Sequence, residues 1–200
     1  MMVSSPSPPK PFPLTAAIFE GSLVLIAIGL GRWLGRSALT TLSINSTGML
    51  LGLAGTLPPL GLFWLCLKCP LRPFRRIARI VDELLVPLFE GCSLAELAVI
   101  SALAGLGEEV LFRGVVQAAV ADKIGGAPGV YLGLFVAAAL FGLLHFITPS
   151  YAVMAGLIGL YLGWIWLLSG NLLAPIIVHG VYDFLALVWV TRRRKPQSVD

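Results

Sequence analysis

The chain has 200 residues, 58% of them hydrophobic and 12% charged, with a formal net charge of +4. Mean hydropathy is +0.92; soluble domains are nearer half apolar and a quarter charged, so a soluble globular protein is excluded and an integral membrane protein is expected. The positive charge does not point to nucleic acid, because Lys and Arg sit beside the apolar runs, where the positive-inside rule accounts for them.

The opening stretch MMVSSPSPPKPFP, residues 1–13, is rich in Pro and Ser and reads as a disordered tail. The apolar run after it reaches about Leu34. It is too long for a signal-peptide core and shows no small-residue cleavage site, so it is expected to stay as a membrane helix. A span needs roughly 20 mostly apolar residues. Six segments qualify, 14–34, 47–67, 94–121, 128–148, 151–169 and 172–191, the third only if its charges are tolerated. The expected fold is all-α, a polytopic transmembrane helical bundle of about six spans in one membrane-embedded domain (14–191), with a basic tail at 192–200.

Between the second and third spans lies PLRPFRRIARIVDELLVPLFEG. Ile77, Ile80, Val81, Leu84, Leu85 and Leu88 recur at helical spacing, while Arg75, Arg76, Arg79, Asp82 and Glu83 fill the other face. That pattern predicts a short amphipathic helix in the interface against anionic lipid. With six spans both termini share a side, which receives ten Lys and Arg residues against three (Arg32, Arg36, Lys123) on the other. Both termini are therefore expected in the cytoplasm, and the expected location is the plasma membrane of a bacterium. Cys66, Cys69 and Cys92 give no disulfide framework, and Cys66-Leu67-Lys68-Cys69 is weak as a metal or redox motif.

The third span holds Gly105-Leu106-Gly107-Glu108-Glu109-Val110-Leu111-Phe112-Arg113-Gly114. Each central charge costs about 2.5–3.5 kcal/mol on insertion scales, and such groups usually face the bundle interior and mark function. Glu109 precedes Arg113 by one helical turn, so the two can neutralise each other. Glu108 points about 100° away and is not offered that partner. It is left as a general base or acid, on a face with Ser101, Ala104 and Gly105, where another helix can approach closely. Both histidines of the chain fall in expected spans: His145 closes Phe141-Gly142-Leu143-Leu144-His145, and His179 shares a helix face with Asp183. Glu108 and His145 would each lie roughly 21 Å from the non-cytoplasmic helix ends, so one buried polar site is expected.

Other protease designs lack their parts. There is no His-Glu-x-x-His, no second in-span aspartate to face Asp183, and no Gly-x-Ser-x-Gly. What is left is a site of Glu, His, His and Asp that activates water, with or without a metal.

At these residues segment 94–187 resembles the CPBP family of intramembrane proteases, which includes the type II CAAX prenyl endopeptidases and abortive-infection proteins. The family pattern Glu-Glu-x-x-x-Arg, Phe-x-x-x-His and His-x-x-x-Asn corresponds here to Glu108 to Arg113, Phe141 to His145 and His179 to Asp183. The resemblance implies a glutamate-type endopeptidase without a cofactor. Glu108 and His145 would activate water, His179 and the residue four later would stabilise the oxyanion, and Glu109 and Arg113 would support the site. The substrate would be a membrane-associated peptide or protein, in CAAX-type processing. Asp183 departs from the usual Asn, and either donates to the oxyanion in protonated form, which the resemblance favours, or orients His179. A zinc on Glu108, His145 and His179 is the alternative chemistry. The competing functions are a scaffold or immunity factor without turnover, and an ion-coupled transporter, against which the lack of a visible repeat counts.

Overall fold

The computed structural model describes residues 11–193, which are predominantly helical with no strand. The helices are α1 Pro11–Trp33, α2 Ser46–Lys68, α3 Arg72–Phe89, α4 Leu94–Ile124, α5 Gly126–Leu144, α6 Pro149–Ser169 and α7 Leu173–Arg193. α1 begins at Pro11, inside the stretch expected to be a tail, and α7 runs on to Arg193. The rest of both expected tails, 1–10 and 194–200, lies outside the described residues.

α1, α2, α5, α6 and α7 are each long and apolar enough to cross a membrane, and α4, which follows α3 through a bend of 115°, brings the spans to six. Large apolar side chains such as Ile18, Leu25, Leu50, Phe135 and Leu168 point outwards. That surface suits lipid and no aqueous solvent. Thr56 and the two prolines after it break the turn regularity of α2 without ending the span.

α4 is central. Its first half packs between α1 and α7, its second half lies against α5, α5 pairs with α6, and α2 packs on α7. Lipid tails are as apolar as Leu, so close backbone approach rather than water exclusion joins such helices. Gly105 of α4 faces Gly180 of α7, and a Cβ on Gly105 would stand 2.8 Å from the Gly180 nitrogen. α5 and α6 meet in the same way at Gly142 and Gly156.

Polar contacts fasten the two ends of the bundle. Arg36, after α1, meets Asp122 at the end of α4 at 2.6 Å. Arg193, at the end of α7, bonds Asp82 of α3. The outgoing ends of α1 and α4 thus lie together, and the end of α7 lies against α3, as an even number of spans requires.

α3 keeps its arginines exposed and buries Ile77, Val81 and Val86. Leu84 and Leu88, on the apolar face that the spacing predicted, are exposed, which suits a helix lying against lipid. The turns widen to a π-helix over Val81–Leu85. A π-turn takes in an extra residue, which rotates everything after it and brings Val86, outside the predicted apolar set, inwards. Cysteine labelling of the membrane-embedded protein is expected to mark position 80 and the C-terminus from one side and position 125 from the other. Labelling of positions 80 and 125 from the same side would contradict this arrangement.

Candidate active site

α4 starts at a capping box: Ser93 Oγ accepts from the Glu96 amide at 3.2 Å, and Glu96 Oε2 accepts from the Ser93 amide at 2.7 Å. From this fixed start the helix delivers Ser101, Ala104 and Gly105 to the contact with α7. One turn later come Glu108 and Glu109, both buried. The helix then widens to π-turns over Val110–Gln117, a feature common at functional sites.

Glu109 and Arg113 form the pair expected from their spacing. Arg113 Nη1 donates to Glu109 Oε1 at 2.8 Å, and neither side chain has exposed surface. Arg113 Nη2 donates to the Gly159 carbonyl of α6 at 2.6 Å, and the guanidinium lies over the Phe141 ring, 5.0 Å from its centroid. One turn on, Gln117 Nε2 reaches the Gly163 carbonyl at 3.4 Å. Two donors one turn apart on α4 thus meet two carbonyls one turn apart on α6. Glu109 Oε1 also lies 2.9 Å from His179 Nδ1, so the Glu109–Arg113 pair joins α4 to both α6 and α7. Since Oε1 can only accept, Nδ1 of His179 carries a proton.

Glu108 faces away from this pair into a cavity of about 320 Å³, whose wall also includes His145, His179 and Asp183. The residues singled out from the sequence are therefore brought together, Glu108, His145, His179 and Asp183 on the cavity wall and Glu109 and Arg113 behind it. Glu108 Oε2 is buried and has no hydrogen-bond partner. It lies 3.8 Å from His145 Nε2, beyond direct hydrogen-bonding distance.

His145 is not inside a span. α5 ends at Leu144, earlier than the expected 148, and His145 is its C-terminal cap with φ −94° and ψ 21°. Its Nδ1 is 2.8 Å from the Phe141 carbonyl. A carbonyl accepts only, so Nδ1 donates and the neutral ring turns a lone pair on Nε2 towards Glu108. The imidazole stacks on Phe141 at 4.5 Å with planes 21° apart. Phe141 therefore holds His145 through both its ring and its carbonyl while supporting Arg113.

His179 Nε2 lies 3.4 Å from Asp183 Oδ2. Both ring nitrogens of His179 thus meet carboxylates, and neither is free as a metal ligand. Among the described residues no three His, Cys, Asp or Glu side chains are grouped to hold a metal ion. The donor set does not fit zinc on Glu108, His145 and His179.

Residues 91–185 match the family model described as type II CAAX prenyl endopeptidase Rce1-like. That match supports a CPBP/CAAX protease family assignment. No curated protein and no solved structure matches the chain. The matched segment runs from the turn before α4 into α7 and contains every residue singled out above. At family level the match supports a CAAX-type intramembrane endopeptidase.

Three residues of the cavity wall had not been singled out: Glu20 of α1, Tyr151 at the start of α6 and Tyr182 of α7. Glu20 carried a signal, since it is a carboxylate inside an apolar span and falls under the rule that marked Glu108. Tyr151 carried none, because a Tyr near a helix end also fits a membrane interface.

Replacing Arg113 by Ala is expected to destabilise the protein by about 3–5 kcal/mol, because the buried Glu109 loses its guanidinium. Arg113→Lys should fall between, since an ammonium lacks the planar fork that reaches Glu109 and Gly159 together. Unfolding in detergent measures both; an Arg113→Ala protein as stable as the parent would contradict the assignment.

Proposed function

We propose that the protein hydrolyses a peptide bond in a membrane-associated peptide or protein with a water held between Glu108 and His145. The observation that carries this reading is the 3.8 Å separation of Glu108 Oε2 and His145 Nε2, two acceptor atoms on one cavity wall. A water oxygen about 2.8 Å from each can give both its hydrogens to them. Its lone pair is then left for the substrate carbonyl.

The chemistry balances without a further reactant. The water oxygen bonds to the carbonyl carbon as one of its protons passes to Glu108, and the carbonyl oxygen takes up the negative charge. The C–N bond then breaks, Glu108 returns the proton to the leaving amine, and a carboxylic acid and an amine result. His145 orients the water and is itself held by Phe141.

His179 faces Glu109 and Asp183 with its two ring nitrogens, and the imidazolium is the form that donates to both. We assign the positive charge of this ring, rather than a free N–H, to the stabilisation of the oxyanion, with Asp183 as the group that holds the ring and not as a donor itself. Glu109 and Arg113 fix the other side of the ring. No metal has a part in this reading. Ile77, Val81 and Leu85 of α3 also line the cavity, and the distribution of Lys and Arg would put α3 on the cytoplasmic side.

Glu108→Gln is expected to abolish cleavage of peptide substrates with the fold intact, because the amide keeps the shape and loses the base. Full activity in this variant would remove Glu108 from the reaction. Asp183→Asn is expected to lower activity on the order of a hundredfold, because an amide can present its NH₂ to Nε2 and favour the uncharged ring. Undiminished activity would return Asp183 to the donor role. Activity should also survive chelators; loss with a chelator and recovery with zinc would make ligands of Glu108, His145 and His179.

A further inference from the structure

Glu20 lies outside the family-matched segment, in the middle of α1, yet its side chain reaches the cavity wall beside Glu108. α1 touches α4 at the neighbouring residue, where a Cβ on Gly107 would run into the Glu20 carbonyl. Glu20 is close enough to Glu108, His179 and Asp183 to interact with their charges. Its Oε2 is buried and has no hydrogen-bond partner.

The charges around the cavity do not cancel. Among the described residues its wall carries the carboxylates Glu20, Glu108 and Asp183 and the imidazoles His145 and His179, but no Lys or Arg. The guanidinium of Arg113 is taken up by Glu109 behind the wall. His145 is neutral in the form that accepts from the proposed water through Nε2, and His179 can offset one carboxylate. Two negative charges are left, one on the base that the reaction needs and one on Glu20, for which the reaction has no use. An uncompensated carboxylate in an apolar span is costly unless something it meets there offsets it.

Resting on the endopeptidase reading, we propose that Glu20 makes this cavity select substrates with a Lys or Arg side chain close to the scissile bond and reject those with a carboxylate there. The substrate class is then the basic flank of a membrane-anchored peptide, such as the juxtamembrane end of an apolar helix. A carboxylate brought to the same place meets Glu20 and Glu108 with no cation on the wall to receive it. At separations of several ångströms in a partly dry site, one such charge is worth about tenfold or more.

The test uses the full-length protein in neutral phosphatidylcholine vesicles, which carry no surface charge to mimic the effect. Three sets of fluorogenic peptides share apolar flanks and place Lys, Gln or Glu within two residues of the scissile bond on either side. The expected order of kcat/KM is Lys above Gln above Glu, by about tenfold per step. Glu20→Gln should compress the Lys-to-Glu ratio to within about threefold, while Glu20→Asp should keep the order. Equal kcat/KM for the three sets in the native protein overturns the proposal, as does an unchanged ratio in Glu20→Gln. Should Glu20→Gln fail to fold, the order in the native protein decides. If no peptide is cleaved, or cleavage persists in Glu108→Gln, the endopeptidase reading fails instead. Peptide binding measured by anisotropy then still decides charge selection, with Lys tightest if Glu20 acts as proposed and all three equal if it does not.

Discussion

Arg113 has no exposed surface, and the position of every other group in the site can be traced to how its charge is satisfied. Glu109 neutralises it, the Gly159 carbonyl of α6 takes a second nitrogen, and the Phe141 ring of α5 lies against its face. Glu109 in turn accepts from His179 of α7. One cation therefore draws four helices to a point, and it does so in a medium that gives helices little hydrophobic reason to associate. The small residues are the counterpart: Gly159 leaves room on α6 for the Phe141 ring, and Gly105 lets α7 bring His179 to α4.

The arrangement divides two adjacent glutamates into two tasks. Glu109 is held in the cluster through Oε1, which meets both Arg113 and His179. Glu108, about 100° round the helix, shares the cost of burial without sharing the partner, and its free oxygen faces the cavity. That division was legible in the sequence, since helix phase alone separates residues one and four positions from an arginine. The two remaining motifs were legible as well, because a histidine four residues after Phe141 and an aspartate four after His179 are contacts that a helix makes by itself.

The rest was hidden for identifiable reasons. The periodicity of α3 marked its apolar face, where Ile77 and Val81 are buried and Leu84 and Leu88 exposed, but not the burial of Val86, because a π-turn changes the phase and leaves no mark in the composition. His145 was expected within a span; α5 ends one residue before it, and apolar residues on both sides conceal that end. The site therefore lies at the level of a helix terminus, where a carbonyl can hold the imidazole and a substrate can enter. Glu20 was passed over because the motifs draw attention to 91–185, while α1 completes the cavity from outside that segment. A motif gives the groups a reaction shares; the walls of the cavity come from whichever helix packs there.

The central claim is that Glu108 and His145 act as one unit on one water. A double-mutant cycle on kcat tests it most directly, with Glu108→Gln, His145→Ala and the double variant assayed on a single peptide in the same vesicles. Residues that act as a unit are strongly non-additive. The account predicts that the double variant is no slower than the slower single one. Losses that multiply would mean that the two residues act independently, and would contradict it.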